Sequence, residues 1–337
     1  MTSLILAIET SCDDTCAAVV TGDGELRSNV ISSQGIHDAY GGVVPEIASR
    51  HHLELANVVV DDALGRAGAT LDDIELVAVT QGPGLVGALL VGVATAKGLA
   101  AGRGLPLAPV DHLQGHVAAN FLRLEEGSEA IMEPPFVCLI ASGGHTLLAR
   151  VDGHDGFEVL GRTLDDAAGE AFDKGARLLG LPFPGGPQLE RLARAGDPQA
   201  FSFPVARNLD GLDFSFAGVK TSLLYRVRDL GAQAVQERAA DLAASYQQAI
   251  GDALVLRCEQ ALESTGLDRL AVGGGVAANG PLRERLTALG VRVGIPPRAL
   301  CTDNAAMIAS AARYVPALPF PAYLALDAYA SGERALA

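Results

Sequence analysis

The chain has 337 residues, 49% of them hydrophobic, and a mean hydropathy of +0.26, enough apolar surface for two cores, so two domains are expected. Lysine and arginine number 25 against 40 acidic residues, and the resulting net charge of −15 excludes a protein that grips nucleic acid by bulk electrostatics; any RNA contact must be local or shared with a partner. Five cysteines, at 12, 16, 138, 258 and 301, form neither a disulfide framework nor a zinc CxxC pair, so a reducing cytoplasm fits.

The N-terminal "MTSLILAIETS" lacks a basic region and runs straight into an alternating strand-like pattern, which does not read as a secretory signal. The segment "LILAIETSCDDTCAAVV" (4–20) predicts an apolar strand, a short polar turn holding Ser and Thr, and a second apolar strand. From Leu76, "LVAVTQGPGLVGALLVGVATAKGL" predicts a buried strand, a glycine turn and a helix. Its apolar run from Leu85 stops at Lys97, short of the ~20 residues that span a bilayer.

In "PVDHLQGHVAAN" (109–120) a helix would point His112 and His116 along one face, a spacing that suits either a metal pair or two histidines sharing an apolar helix. Then the opening layout returns. "FVCLIASGGHTLLARV" (136–151) repeats the strand–turn–strand, and "LAVGGGVAANGPLRERL" from Leu270 repeats the strand–glycine–helix. Between them lies an insertion of about 155–240 containing "LDDAAGEAFDKGARLLGL", the breaker "PFPGGP" and "NLDGLDFSFAGVKTSLLYRV". Two copies that open with a hairpin and later present a strand–glycine–helix turn imply an α/β, duplicated actin-like architecture of the sugar kinase and Hsp70 kind, with two lobes and an interlobe cleft. The boundaries expected are 1–110 plus 305–337 for the N-terminal lobe and 111–304 for the second.

Glycine turns let backbone N–H groups point at an anion or approach a ligand closely, and "SGGHT", "PGGP" and "GGGVAANGP" together favour nucleotide binding, although none is a Walker A loop or a GxGxxG fingerprint. Asn279 in the last of these reads equally as a helix cap ahead of Pro281. In "CTDNAAMIASAARY", Asp303 and Asn304 precede a strong helix, so Asp303 reads as an N-cap or as the anionic third ligand that two imidazoles would need. The basic residues between 162 and 228, Lys220 and Arg226 among them, offer a local RNA-facing patch or an ordinary solvated surface.

The strings "ETSCDDT" (9–15), "YGGVVPEIASRHH" (40–52), "DHLQGH" (111–116), "SGGHT" (142–146), "DDAAGEAFDK" (165–174), "PGGP" (184–187), "LDFSFAGVKT" (212–221), "GGGVAAN" (273–279) and "CTDNAAMIA" (301–309) span nearly the whole chain. In that order they resemble the universal tRNA threonylcarbamoyladenosine transferase family, TsaD in bacteria. The resemblance implies transfer of a threonylcarbamoyl group from threonylcarbamoyl-adenylate to the exocyclic amine of the adenosine beside the anticodon in tRNAs reading ANN codons. It implies a divalent metal, Fe(II) or zinc, on His112, His116 and Asp303, and an adenylate or ATP on Ile140, Ala141, Ser142, Gly143, Gly144, Asp173, Gly186, Glu190 and Asn279. At 190 many members carry Asp, and at Asp14 the family more often reads Glu. Asp13 is the candidate for aligning or deprotonating the amine. Implied partners are tRNA, a TsaB-like scaffold, a TsaE-like ATPase and a TsaC-type adenylate synthase, with no membrane.

Three rival classes share parts of this pattern. A zincin protease would carry Glu directly after its first histidine, where this chain has Leu113. An actin-like ATPase or small-molecule kinase would share the fold, and a non-catalytic scaffold would not need His112, His116 and Asp303 intact.

Overall fold

The computed structural model describes residues 3–330. The chain divides into two compact units, one comprising residues up to Glu133, His154–Gly156 and the segment from Asp303 onward, the other Pro134–Gly153 and Phe157–Thr302.

The first unit runs β1 (Leu4–Glu9), β2 (Asp14–Thr21), β3 (Leu26–Ser33), α1 (Pro45–Ala67), β4 (Ile74–Gly82), α2 (Val86–Arg103), β5 (Leu107–Asp111) and α3 (His112–Ala118). Its sheet has the order β3-β2-β1-β4-β5. The central strand β1 is buried on both faces from Ile5 to Glu9, which is why its sequence is a continuous apolar run and not the alternation first expected. It pairs antiparallel with β2, Glu9 facing Cys16, and parallel with β4, Ile8 facing Val79; β4 is parallel to β5, Gly82 facing Asp111. Parallel pairing sets the carboxyl ends of β1, β4 and β5 along one edge, where ligands of such sheets bind.

Helix α2 continues through Lys97 to Arg103 and is apolar and long enough, by those criteria alone, to cross a bilayer. Its Ala88, Leu89, Gly92, Val93, Ala96 and Ala100 are buried, as in a core helix. The Lys97 ammonium is tied to the Leu324 and Leu326 carbonyls at 2.9 and 2.6 Å.

The second unit runs β6 (Phe136–Ala141), β7 (Thr146–Val151), β8 (Glu158–Arg162), α4 (Ala168–Leu178), α5 (Gly185–Ala193), α6 (Ala217–Glu237), α7 (Ala239–Thr265), β9 (Arg269–Gly273), α8 (Gly280–Thr287) and β10 (Arg292–Gly294). Its order β10-β9-β6-β7-β8, read from the other edge, repeats that of the first sheet, with β6–β7 antiparallel and β6–β9 and β9–β10 parallel. The duplicated layout therefore holds strand by strand. One expectation changes: the insertion does not begin at 155, because β8 is the third strand of the sheet, hydrogen-bonded to β7. The inserted helices are α4, α5 and α6, after which α7 takes the place that α1 holds in the first unit.

The last helix, α9 (Ala305–Ala312), is buried at every position and packs with β1, β2 and α3. That packing explains why the first unit includes α3 and Asp303 and does not stop at 110. Gly115 makes it possible: a Cβ there would stand 2.7 Å from Ile308 Cδ1 and 3.3 Å from Met307 Cγ. Replacing Gly115 by Val should overpack this contact and cost about 1–3 kcal/mol, read as a lower urea midpoint at unchanged slope.

Candidate functional site

In the first unit the edge formed by the strand ends becomes a polar centre. Helix α3 starts where β5 ends because Asp111 caps it, Oδ1 accepting from Leu113 N at 2.8 Å and Gln114 N at 3.1 Å. The other Asp111 oxygen takes the Tyr329 hydroxyl at 2.5 Å, and Gln81 Nε2 donates to the Asp327 carbonyl at 2.7 Å, so residues 327–329 strap the start of the helix. One helical turn sets His112 and His116 edge to face, with ring centroids 4.7 Å apart.

Asp303 reaches both. Its Oδ1 lies 3.5 Å from His112 Nε2 and 3.4 Å from His116 Nε2, and ligand atoms of the three residues fall within 4.8 Å of one another. Asn304, not Asp303, caps α9, its Oδ1 accepting from Met307 N at 3.0 Å, which leaves the Asp303 carboxylate for the histidines. His116 is fully buried, and among the described residues neither of its ring nitrogens finds a well-aligned hydrogen-bond partner, Asp303 standing 3.4 Å from Nε2 without making one, a state costly for a polar group unless something else binds there. Two nitrogens and one carboxylate oxygen suit a borderline divalent ion with open positions, so these residues fit a metal.

Electrostatics agree. Burial opposes charge on His112, but the carboxylates of Asp303 and Glu9 override it and hold its pKa well above the usual range. Burial would raise Asp303, yet His112 and then His116 keep it well below the ordinary carboxylate range. Without metal the centre is thus held by a proton on His112 against the Asp303 carboxylate, and a metal must displace that proton.

Sequence reasoning missed four members of this centre. Glu9 Oε2 sits 2.9 Å from His112 Nδ1 and accepts from the Thr80 hydroxyl at 2.6 Å, while Oε1 accepts from Ser11 N. Ser11 Oγ is 3.2 Å from the same His112 nitrogen. His52, fully buried, donates Nε2–H to the Cys12 carbonyl at 3.0 Å and takes the Thr15 hydroxyl on Nδ1 at 2.9 Å, fixing the turn that carries Asp13. A lone carboxylate closing an otherwise apolar strand was the readable signal for Glu9.

In the second unit several of the expected nucleotide residues are tied in hydrogen-bonded pairs near the starts of α4, α5 and α8. Register places Ile140 beside Gly273, so the ends of β6 and β9 bring Ala141 and Ser142 against Gly274. Gly274 has φ +88°, and a Cβ there would meet the Ala141 carbonyl at 2.4 Å, so only glycine fits. Gly143 and Gly144 do not adopt positive φ; both are exposed, with open space where a side chain would stand. The Ser142 carbonyl accepts from Gly169 N at 3.0 Å near the start of α4. Asp173 on α4 accepts from Gly185 N and Gly186 N at 2.8 and 3.2 Å, holding the start of α5. Glu190 on α5 takes the Asn279 amide at 3.3 Å, and Asn279 both caps α8 through Leu282 N and donates to Gln247 at 2.8 Å.

Lys220 is not a free docking cation, because its ammonium pairs with Asp166, which also takes Lys174 at 2.8 Å. Arg226 instead lies over the Phe201 ring, 5.6 Å from its centroid.

A duplicated actin-like fold carrying two buried histidines and one half-buried carboxylate within ligand distance of one another defines a class of α/β proteins with a candidate metal centre. Residues 25–310 match the family described as TsaD, tRNA N6-adenosine threonylcarbamoyltransferase. The chain belongs to that family. It is 55% identical, over 93% of its length and 91% of the relative's, to the tRNA N6-adenosine threonylcarbamoyltransferase of Symbiobacterium thermophilum. A second relative of that name, from Clostridium botulinum (strain 657 / Type Ba4), is 50% identical over 92% of each chain. Among solved structures, full-length HypF in its phosphate- and nucleotide-bound form superposes with a TM-score of 0.59 at 15% identity, covering 98% of this chain and 56% of that one, a likeness of fold.

Asp14, beside this centre, generates a pH test. Burial raises its carboxyl to about 7, against an opposing hydrogen bond from Ser33 and with help from Asp303, Asp13 and Glu9. A folded pKa above the unfolded one means that the folded state holds the proton longer, so stability is lost as pH rises from about 4 to about 7. Metal-free Asp14→Asn should therefore be more stable than the parent at pH 8 and gain nothing at pH 4 in urea titrations; an equal gain at both would assign the effect to packing.

Proposed function

We propose that this chain transfers a threonylcarbamoyl group from threonylcarbamoyl-adenylate to the N6 amine of the adenosine beside the anticodon in tRNAs reading ANN codons. The observation that carries the reading is the convergence of His112, His116 and Asp303 in a chain of this family. Family membership also weighs against the kinase and ATPase alternative.

The reaction forms a bond between the amine nitrogen and the carbamoyl carbon, breaks the bond from that carbon to the adenylate oxygen, releases AMP, and sheds one amine proton. An acyl-adenylate already carries a good leaving group, so orientation and charge stabilisation are the main tasks. His112, His116 and Asp303 would hold a divalent ion, Fe(II) or zinc, which when bound would supply Lewis acidity toward charge building on oxygen. Asp13, in the turn after β1, orients the amine or accepts its proton. In the second unit the backbone from Ile140 to Gly144 and the start of α5 at Gly186 receive the adenylate, with Asp173, Glu190 and Asn279 shaping that surface.

A net charge of −15 repels a polyanion at long range, so docking of tRNA calls for help from other proteins. A TsaB-like scaffold and a TsaE-like ATPase fit that need, and a TsaC-type enzyme would supply the adenylate. The setting is the cytoplasm, consistent with five free cysteines.

The direct test incubates the protein with tRNA, synthetic threonylcarbamoyl-adenylate and the candidate partners, then measures the modified nucleoside by mass. Product should form with the parent and fall at least ~100-fold with His116→Ala at unchanged far-UV CD; a fully active variant would sink the metal reading. Gly144→Val, placed in open space, should leave stability near the parent's while weakening AMP binding by about tenfold or more in calorimetry. Undiminished AMP binding would move the nucleotide elsewhere.

A further inference from the structure

Glu9 is fully buried at the end of β1, and the transfer chemistry gives it no task. Burying a carboxylate is costly unless it is paired and hydrogen-bonded. Here Oε1 accepts from Ser11 N, and Oε2 accepts from Thr80 at 2.6 Å and faces His112 Nδ1 at 2.9 Å. An ionised carboxylate can only accept, so a hydrogen of His112 belongs on Nδ1 facing Glu9, which leaves Nε2, 3.5 Å from Asp303 Oδ1, as the nitrogen that gives up its hydrogen to a metal. His116 is held differently, since among the described residues neither of its nitrogens meets a well-aligned hydrogen-bond partner.

We infer that Glu9 is a positioning residue of the metal centre. It fixes which nitrogen of His112 faces the metal position and how the ring is turned, which makes His112 the pre-set ligand and His116 the adaptable one. The strand pairing gives this arrangement its precision: Glu9 ends β1, Thr80 lies two residues before the end of the parallel neighbour β4, and β5 beside them leads directly into His112. The inference rests on the reading of His112, His116 and Asp303 as ligands.

The test uses the full chain, stripped of metal, with Co(II) as the probe. Glu9→Gln keeps the shape and removes the charge; Glu9→Asp keeps the charge and shortens the reach. Both should bind Co(II) about 10–100-fold more weakly than the parent and shift its visible absorption bands, at unchanged far-UV CD. Parent-like affinity and spectrum in both variants would reduce Glu9 to a structural residue and overturn the inference, whereas a parent chain that binds no Co(II) would overturn the metal reading beneath it. If the variants do not fold, the parent still decides. In the Zn(II)-loaded, 15N-histidine-labelled protein, His112 should carry a slowly exchanging proton on Nδ1, and a proton on Nε2 instead would overturn the inference.

Discussion

A carboxylate buried at the end of a central strand cannot stand alone, and the first unit is organised around what Glu9 requires. Its partners come from three places: the turn after β1, the end of β4, and the first residue of α3. Only a parallel arrangement of β1, β4 and β5 delivers all three to one edge. From that pairing follow the direction of α3, the placement of His116 one turn on, and the need for a carboxylate from α9's approach to balance two imidazoles.

The two units share a strand order and put it to opposite uses. In the first, the strand ends carry side chains that bear charge; in the second, the equivalent ends carry Ser142 and Gly274, and backbone takes the place of side chains. The polar side chains of the second unit serve mainly to hold helix starts in place, Asp173 for α5 and Asn279 for α8. A helix start positioned so firmly presents N–H groups without the entropy loss that a mobile loop would incur.

Much of this was legible in the chain. Repeated strand–turn–strand and strand–glycine–helix patterns gave the three central strands of each sheet, because apolar runs bounded by glycine and polar turns have few other solutions, whereas the edge strands β3, β5, β8 and β10 carried no such signal. His112 and His116 stood out through helical spacing, whereas Asp303 competed with Asn304 for one capping role that periodicity could not assign; the geometry gives it to Asn304. Glu9 and His52 stayed hidden because their partners, Thr80 and Cys12 among them, are distant in sequence and adjacent only through strand register or helix packing. The pairing of Lys220 was hidden for the same reason. Its charge is visible in the sequence, but its neutralisation by Asp166 depends on how α6 lies against α4.

The centre draws on both ends of the chain: Glu9 and the histidines come early, Asp303 and the strap at 327–329 come late. On a ribosome, the N-terminal strands and α3 emerge long before the residues that complete the ligand set. Until then His112 and His116 form at most a two-nitrogen site, which holds a divalent ion weakly. A chain that stops short of Asp303 therefore keeps only two of the three candidate ligands, so completion of this centre waits on the segment that leads into α9.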